Sequence, residues 1–393
     1  MYDVIIIGAG PAGLMAANVL KGSNLLVLEK KEKAGKKLLI TGGGRCNLTN
    51  LKDNQSFLEE IEHNQKALFS TLNNFGPYDI FDFFHQEVPL ETVEEDQVFP
   101  ISNKANDILN HLLKDIKNKI QYHSDVKEIR DCTTYIEVET TNQVYQASYV
   151  IVGTGGASYS MTGSSGDHMH LARMLEQPTI PLFPAETSIL LKEQNNLAGT
   201  SFPNTKISFS KIEKTGHLMF THKGLSGLSA MKCSEYVYLQ KPKEIIVDFN
   251  TQLEKETIVD LFSTHREKGP VNVLAMLFTK RFSEYLIEKA EITQQKCKQL
   301  NKAEIDKIIV HIKEHPFELK GVEKLEKAYV TGGGIDVRGL HMKSFLSKTH
   351  PHIAFVGECV DIHGPIGGYN ITLALSSGYS AALAIQNKLE ELL

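Results

Sequence analysis

The amino-acid sequence predicts an α/β protein in which a discontinuous domain with a parallel sheet is interrupted by an inserted segment. Three observations predict this class. Short apolar, β-branched runs, typical of strands buried on both faces, occur at residues 2–7, 149–152 and 353–356. A glycine, where a tight turn can begin, follows each run. Because the runs come from the beginning, middle and end of the chain, we expect distant segments to converge on one site.

The first run is followed by the glycine-rich sequence GAGPAG. Gly8 permits a tight turn, Gly10 lets the backbone approach a pyrophosphate, and Gly13 lets the next helix pack closely on the strand. Pro11 suits the first helical turn, and the free N–H groups of a helix N-terminus favour an anion. We therefore predict that a dinucleotide pyrophosphate contacts Gly8, Gly10, Pro11, Ala12 and Gly13.

A second predicted strand, at residues 24–28, ends at Glu29. Its carboxylate can accept hydrogen bonds from ribose hydroxyls and disfavours a 2'-phosphate. The spacing of strand, helix, strand and acid indicates an adenine dinucleotide, NAD or FAD, and a merely structural glycine turn is the alternative. Lys30 and Lys37, in the lysine-rich stretch that follows, are also predicted contacts, although such a stretch is typical of a solvated loop.

Length and composition exclude several classes of protein. A chain of 393 residues is long enough for two or three domains, and 41% hydrophobic and 23% charged residues are typical of a globular protein. The formal charge of -5 disfavours a nucleic-acid partner. No apolar run reaches the ~20 residues that span a bilayer, and no basic leader precedes the first strand. We therefore expect a cytoplasmic protein without a membrane partner.

The cysteines are widely scattered and form no CxxC motif. This spacing argues against a disulfide framework, a structural zinc site and a dithiol redox pair. We therefore expect no metal site.

Three successive glycines at residues 42–44 form a loop after the lysine-rich stretch. Its backbone can come very close to something flat or anionic, and the loop lies where a bound dinucleotide would continue. A flexible surface loop is the alternative. The predicted contacts are Gly43, Gly44, Arg45, Cys46 and Asn47, with Arg45 at the pyrophosphate and Asn47 at a flavin ring. We interpret Cys46 as a small packed residue and not as a nucleophile.

Sequence periodicity divides the rest of the chain. Prolines between residues 178 and 184 mark a boundary, after which short alternating strands predict a small β domain at residues 186–250. Residues 251–325 have helical periodicity and predict a helical domain. Residues 1–185 and 326–393 then form the discontinuous nucleotide-binding domain.

Two more glycine turns are predicted to meet the same cofactor. Thr154 and Gly155 lie in a stretch that resembles the second glycine motif of FAD-dependent proteins. Gly357 and Glu358 follow the last predicted strand. An acid there, at Glu358 or Asp361, can hold the hydroxyls of ribitol, a polyol that NAD lacks.

The last helix begins after a glycine pair at residues 367–368. Its N-terminus can face the flavin pyrimidine, where negative charge accumulates on reduction, and this favours FAD over NAD. A simple docking helix is the alternative. The predicted contacts here are Gly368, Tyr369, Asn370 and Ile371.

These motifs resemble those of a three-domain bacterial flavoprotein family that includes aminoacetone oxidases and a reductase of dehydrated bile acids. The stretches that carry the resemblance are DVIIIGAGPAGLMAA, GKKLLITGGGRCNLTN, GTGGASYSMTGSSGD, FTHKGLSG, TGGGID and GECVDIHGPIGGYN. The resemblance implies a Rossmann-like FAD-binding domain, an inserted β-barrel and a helical domain, with Val126 near the adenine. Ser160, His168 and Leu228 depart from the Pro, Gly and Pro usual in that family, and these changes would reshape a substrate pocket.

The resemblance implies an FAD-dependent oxidase of a small amino ketone or amine, which is the leading functional prediction. An uncharged amine would transfer a hydride to flavin N5, and dioxygen would reoxidise FAD and give hydrogen peroxide. The candidates to line the catalytic pocket are His222, His363, Tyr369 and Asn370. The alternative for His222 is a core or loop histidine without a catalytic role, and the alternative for Tyr369 is a ring that only packs.

Two other functions stay open. An NAD(P)H-dependent FAD reductase of an activated C=C bond is the first, and the lack of a second GxGxxG motif favours the oxidase over it. A non-catalytic flavin-binding partner of modified RNA is the second, and the net charge disfavours it. The predicted partners are a small-molecule substrate and either dioxygen or NAD(P)H, with no nucleic acid, in a monomer or homodimer.

Overall fold

The computed structural model describes residues 1–193 and 196–391, which form two compact units. The discontinuous unit comprises Met1–Phe183 and Leu325–Leu393, and the inserted unit is Pro184–Lys324. Residues 194–195 of the predicted β domain and residues 392–393 of the predicted nucleotide-binding domain lie outside the described residues.

The elements follow one another along the chain in three groups. The first group contains strands β1 (Tyr2–Ile7), β2 (Leu25–Leu28), β3 (Thr49–Asn50), β4 (Leu90–Thr92), β5 (Gln97–Pro100), β6 (Ile120–Gln121), β7 (Val126–Asp131), β8 (Ile136–Thr140), β9 (Val144–Val152) and β10 (Thr179–Ala185), and helices α1 (Pro11–Val19), α2 (Asn54–Glu59), α3 (Phe69–Asn74), α4 (Pro77–His85), α5 (Ala105–Leu113) and α6 (Asp167–Met174). The second group contains strands β11 (Ile189–Leu191), β12 (Ser201–Phe209), β13 (Ile212–Phe220), β14 (Gly224–Ser226), β15 (Glu244–Asp248) and β16 (His315–Val322), and helices α7 (Leu228–Gln240), α8 (Lys255–Thr264), α9 (Pro270–Leu274), α10 (Lys280–Lys289) and α11 (Lys302–Lys313). The third group contains β17 (Val330–Ile335), β18 (Leu340–His341), β19 (Leu346–Ser347), β20 (Ile353–Phe355) and α12 (Tyr369–Glu390).

The predicted α/β, Rossmann-like class is confirmed, with β1 in the centre of the main sheet. The end of β1 is fully apolar and buried, and β1 pairs in parallel with β2 and β9. Ile7 lies opposite Leu28 and Val152, and Val152 lies opposite Phe355 of β20. These four strands, together with β6, which pairs in parallel with β2, therefore end at one edge, and the glycine turns that follow β1, β9 and β20 meet there. Among the described residues, nine strands belong to this sheet.

Helices α1 and α12 pack against each other at very short range. Gly378 makes this possible, because a Cβ atom at this position would lie 2.1 Å from the carbonyl oxygen of Ala12. The C-terminal helix is thereby fixed beside the helix that follows the first glycine turn. Helices from the first and last parts of the chain therefore pack as one pair.

The inserted unit contains the predicted β-barrel. Of the strands described in this unit, six close a barrel in the order β11, β14, β13, β12, β15 and β16. Phe202 and Phe249 of the barrel side pack on Phe282 of α10, with ring centroids 4.5 and 4.6 Å apart. One aromatic core therefore serves both the barrel and the helices of this unit.

The predicted boundary between the β domain and the helical domain is corrected by the position of β16. This strand lies at His315–Val322, inside the range assigned to the helices, and it pairs with both β15 and β11. Its pattern has period two, with His315, Phe317 and Leu319 buried, but Pro316 interrupts the strand signal in the sequence. The helices α8–α11 are thus an insertion between two neighbouring barrel strands. Helix α7 was likewise not predicted within the β domain.

Three further observations hold for the described residues. None of their helices is long and apolar enough to cross a membrane. Their side chains include no cluster of three or more His, Cys, Asp or Glu that could hold a metal ion. The five cysteines are all unbonded.

Candidate functional site

A cleft with about 1190 Å³ of empty space, measured to its open mouth, lies where the parallel strands end. The residues that line it belong to the discontinuous unit. The predicted cofactor residues in the cleft wall are Gly8, Gly10, Pro11, Ala12, Glu29, Lys30, Lys37, Val126, Thr154, Gly155, Gly357, Glu358, Asn370 and Ile371. The predicted cofactor residues outside this wall are Gly13, Gly43, Gly44, Arg45, Cys46, Asn47, Asp361, Gly368 and Tyr369.

The glycines of the first turn have different physical roles. Gly8 has a φ of 103°, and a Cβ on Gly13 would lie 2.0 Å from the carbonyl oxygen of Gly8. Gly13 therefore allows α1 to pack on β1. Gly10 has an ordinary φ of -84°, and a Cβ there would meet no atom within 4 Å. The space beside Gly10 is thus open cleft at the N-terminus of α1, as a pyrophosphate requires.

Glu29 is fixed at the end of β2 by main-chain donors. The N–H of Ala9 donates to Oε2 (2.9 Å) and the N–H of Lys31 donates to Oε1 (2.8 Å). Burial raises the pKa of this carboxyl, and the two N–H groups with the charges of Lys30 and Lys31 partly offset the rise. Each oxygen keeps a further lone pair with which to accept a ribose hydroxyl.

Glu358 forms an ion pair with Lys37 in the cleft wall. Lys37 Nζ donates to Glu358 Oε2 (2.6 Å) and to Ser158 Oγ (2.7 Å), and the N–H of Thr331 donates to Glu358 Oε1 (3.0 Å). This network connects segments from three parts of the chain. Of the two acids proposed for ribitol, Glu358 is the one in the cleft wall, whereas Asp361 is buried in another contact.

The N-terminus of α12 lies at the cleft, with Asn370 and Ile371 in its wall. The side chain of Asn370 holds the preceding loop, because its Oδ1 accepts from the N–H of Gly364 (3.0 Å) and its Nδ2 donates to the carbonyl of Gly364 (2.7 Å). Tyr369 is buried against Phe57, with ring centroids 4.7 Å apart, and burial raises its pKa. Asn370 therefore shapes the loop, and Tyr369 packs.

The three glycines of the loop have left-handed backbone conformations, Arg45 has a right-handed one, and Cys46 is left-handed again, with a φ of 64°. The Cys46 thiol is fully buried, and burial raises its pKa to about 12, so it is not a thiolate at neutral pH. The Arg45 guanidinium lies 4.7 Å from the centre of the Phe99 ring. Gly43 is exposed, and Gly44 is half-exposed.

Asn47 supplies an observation that tests whether a flavin fits. The side chain is 9% exposed, and its Nδ2 donates to Gln97 Oε1 (2.6 Å). Its Oδ1 has no hydrogen-bond partner within the described residues. A Cβ on Gly368 would lie 2.9 Å from this oxygen, so Asn47 Oδ1 faces the N-terminus of α12. A buried orphan acceptor needs an N–H donor, and the flavin pyrimidine carries one.

The predicted catalytic histidines lie in different units. His222 is exposed on the turn between β13 and β14 of the inserted unit. His363 is buried in the discontinuous unit, where its ring stacks on His63 at 5.2 Å and meets the edge of Phe183 at 5.9 Å. His363 does not line the cleft.

Several cleft residues were missed by the sequence analysis. They come from the segment before β7, from the stretch between the second glycine turn and the start of α6, and from the residue before β17. They are Ser124, Asp125, Thr162, Gly163, Ser164, Asp167 and Tyr329. Asp167 is the first residue of α6 and forms an ion pair with Lys30. The sequence carries a signal for the residues between 162 and 167, because the stretch of small residues that contains them directly follows the second glycine turn.

His168 lies on α6, next to Asp167, and is fully buried. Within the described residues, no hydrogen bond of normal geometry reaches either ring nitrogen. Burial lowers the pKa of this imidazole to about 4, against the opposing charges of Asp167 and Glu358. The position therefore holds a neutral histidine in the folded protein.

His168→Leu should make the protein less sensitive to acid. An unfolded histidine has a pKa of 6.5, so between pH 7.5 and 5 the unfolded state binds a proton that the folded state rejects. The free energy of unfolding of the wild type should therefore fall by about 2 kcal/mol between these pH values, and this decrease should be absent from the leucine variant. Urea unfolding at both pH values measures the difference. A variant with the pH dependence of the wild type would contradict the assignment.

The sequence matches known proteins along nearly its whole length. A family model described as "HI0933-like protein Rossmann domain" matches residues 2–384. A ribosomal RNA dihydrouridine synthase of Escherichia coli (strain K12) is 27% identical over 97% of each chain, and one of Haemophilus influenzae is 28% identical over 98% of each chain. A 3-dehydro-bile acid delta(4,6)-reductase of Clostridium scindens is 27% identical over 98% of this chain and 99% of that protein.

Solved structures share the fold at low sequence identity. A 3-ketosteroid delta1-dehydrogenase from Sterolibacterium denitrificans has a TM-score of 0.54 and 12% identity, with 98% of this chain and 99% of that chain covered. A flavocytochrome c3 fumarate reductase has a TM-score of 0.52 and 13% identity, with 98% of this chain and 78% of that chain covered. Together with the cleft, the family identifies FAD as the cofactor.

Proposed function

Because the chain belongs to the HI0933-like Rossmann-domain family of FAD-dependent oxidoreductases, we propose that it is an NAD(P)H-dependent reductase of a C=C bond conjugated to a carbonyl group. One observation carries the proposal. Three relatives that match over nearly the full length are named for reactions that saturate such a bond, in the uracil ring or in a 3-oxo steroid. This is the alternative that the sequence analysis ranked second, after the aminoacetone-type oxidase.

The residues of the cleft wall, together with Asn47, fit this chemistry. Bound FAD would carry two electrons from the nicotinamide to the double bond. The open space at Gly10 and the N-terminus of α1 would hold the pyrophosphate, and Glu29 the ribose. The Lys37–Glu358 pair would meet the ribitol, and Asn47 with the N-terminus of α12 would hold the pyrimidine.

By analogy with two of the relatives, the substrate would be a uracil ring in ribosomal RNA. By analogy with the third, it would be a steroid dienone. An RNA substrate would depart from the expectation, drawn from the net charge of -5, that nucleic acid is not a partner. The charge is unevenly distributed, because Pro184–Lys324 holds slightly more lysine and arginine than aspartate and glutamate. We place the enzyme in the cytoplasm with either substrate.

Oxidation of a small amino ketone is the second candidate function. The observation in its favour is the single GxGxxG motif, at residues 8–13, which leaves NAD(P)H without a nucleotide motif of its own. In that case dioxygen would be the second substrate, and hydrogen peroxide would be a product.

Anaerobic stopped-flow spectroscopy distinguishes the two functions. We expect NADPH or NADH to bleach the visible flavin absorbance of the holoenzyme, and aminoacetone to leave it unchanged. An unmodified ribosomal RNA transcript or a steroid 4,6-dien-3-one should then restore the absorbance without oxygen, and the corresponding saturated compounds should not. Bleaching by aminoacetone but not by NADPH or NADH would overturn the proposal and support the oxidase.

A further inference from the structure

Tyr329 is an aromatic residue of the cleft wall to which cofactor binding assigns no role. It directly precedes β17 in the discontinuous unit, and 49% of its surface is exposed. The groups that would hold the cofactor are far more buried, because Glu29 and Asn47 are each only 9% exposed. Tyr329 therefore lies toward the open mouth of the cleft, on the side from which a second molecule reaches a bound cofactor.

The Lys37–Glu358 ion pair shows which part of the cleft Tyr329 lines. The N–H of Thr331 donates to Glu358 Oε1 (3.0 Å). Tyr329 is two residues before Thr331, and two residues of extended chain span at most about 7 Å. Tyr329 and Glu358 both belong to the cleft wall. The tyrosine therefore lies beside the ion pair.

This position is significant because the ion pair is the predicted partner of the ribitol. In FAD the ribitol chain is bonded directly to the flavin ring. A residue that lies beside the ribitol contact, but nearer to solvent, is next to the place where a substrate must meet the flavin.

Tyr159 packs against Tyr329 from the loop after the second glycine turn. The two ring centroids are 6.0 Å apart, with an angle of 63° between the planes, so the rings do not stack on each other. The main chain fixes Tyr159 in a left-handed conformation, with a φ of 52°. Its N–H donates to the carbonyl of Glu326 (3.2 Å), and its carbonyl accepts from the N–H of Thr162 (2.8 Å). Burial raises the pKa of Tyr159, and the neighbouring Tyr329 raises it further, so Tyr159 is an uncharged neighbour at neutral pH.

The substrates that the relatives suggest have a common shape. In uracil and in a steroid dienone, the C=C bond that would be reduced belongs to a conjugated ring system, which is flat around that bond. Aromatic side chains bind flat π systems by offset stacking, and this contact does not depend on which atoms the ring carries. Saturation of the bond removes the local planarity, so the product should stack less well than the substrate.

We propose that Tyr329 binds the conjugated ring of the substrate by stacking at the mouth of the cleft; the inference rests on the reductase function proposed above. Tyr329 is a substrate-binding residue that selects flat, conjugated rings. The ring of the tyrosine, and not its hydroxyl group, makes the contact.

The test measures binding to the oxidised holoenzyme, which has no electrons to donate and therefore binds the alkene without reaction. Calorimetric titration gives the Kd of the unmodified ribosomal RNA transcript and of the steroid 4,6-dien-3-one. For the compound that reoxidises the reduced wild type, we expect Tyr329→Ala to raise this Kd by about 10-fold or more. Tyr329→Phe keeps the ring and should restore most of the lost affinity.

Tyr78 offers a matched control in the same unit. It is 55% exposed, lies on α4 outside the cleft wall, and donates its hydroxyl hydrogen to the carbonyl of Leu51 (3.2 Å). Tyr78→Ala removes an equally exposed ring and should leave the Kd of the alkene unchanged. The FAD content of Tyr329→Ala should equal that of the wild type, because the proposed contact is with the substrate.

Three results would overturn the inference. They are a wild-type Kd for Tyr329→Ala, a loss of affinity in Tyr329→Phe as large as in Tyr329→Ala, and a loss of FAD from Tyr329→Ala. The proposed function is tested separately, by anaerobic reduction of the wild type with stoichiometric dithionite. A reduced wild type that ferricyanide reoxidises but neither alkene does would overturn that function, and the inference with it.

Discussion

Gly10→Ala should abolish the retention of FAD and leave the fold intact. The φ of -84° suits alanine, and its methyl group would meet no protein atom within 4 Å. The methyl group would occupy the space through which a pyrophosphate approaches the backbone. We expect the Kd for FAD to rise by at least about 100-fold, which corresponds to ~3 kcal/mol. Visible absorbance after gel filtration and titration of the apoprotein with FAD measure the effect, and thermal unfolding of the apoprotein reports on the fold.

Gly22→Ala is the matched control for this substitution. Gly22 also has open space around the position of a Cβ atom, and it is exposed on the turn between α1 and β2, outside the cleft wall. The same chemical change there should affect neither FAD content nor thermal stability. Purification of Gly10→Ala with a full complement of FAD would show that the pyrophosphate does not use this turn.

Gly13→Ala, three residues further on, should instead destabilise the protein even without FAD. The new Cβ would lie 2.0 Å from the carbonyl oxygen of Gly8 and 3.2 Å from the Ile6 side chain. A main-chain atom cannot move aside unless α1 separates from β1, so we expect a loss of about 3 kcal/mol or more. In an exposed helix, glycine to alanine would instead raise the free energy of unfolding by ~1 kcal/mol. The direction of the change therefore distinguishes close packing of α1 on β1 from a helix with room for a side chain. Urea unfolding of the apoprotein measures the change.

The comparison of the two variants separates binding from folding within one motif. Gly10→Ala should unfold at the urea concentration of the wild-type apoprotein, and Gly13→Ala well below it. Equal stability of Gly13→Ala and the wild type would mean that α1 and β1 tolerate a wider separation than the structure shows.

The dinucleotide-binding part of the fold was predictable because its signals are local. Gly8, Gly10, Gly13 and Glu29 are close in sequence, and each residue type has a specific backbone or hydrogen-bonding reason to stand where it does. The pairing of β1 with β2 and β9 follows from runs that are apolar on both faces. FAD was predicted as the cofactor from a second local signal, the glycine pair at residues 367–368 that precedes the C-terminal helix.

The parts that escaped prediction depend on partners that are distant in the sequence. Strand β16 closes the barrel only because β11 and β15 lie on either side of it, and Pro316 weakens its own signal. The hydrogen-bonded side chains of His63 and Asp361 are 298 positions apart, and no periodicity connects them. Asn370 was predicted as a catalytic and flavin contact, but which atoms its amide binds depends on the conformation of the loop that contains Gly364.

The order of the two units along the chain has a consequence for biosynthesis. The inserted unit is one continuous stretch, whereas the discontinuous unit needs β20 and α12 from the last part of the chain to complete its sheet and helix pair. Domains fold during synthesis as soon as all their segments have emerged from the ribosome. The barrel can therefore close while β9 still waits for β20 and α1 still waits for α12, so that the part encoded second matures first and the coenzyme pocket is finished last.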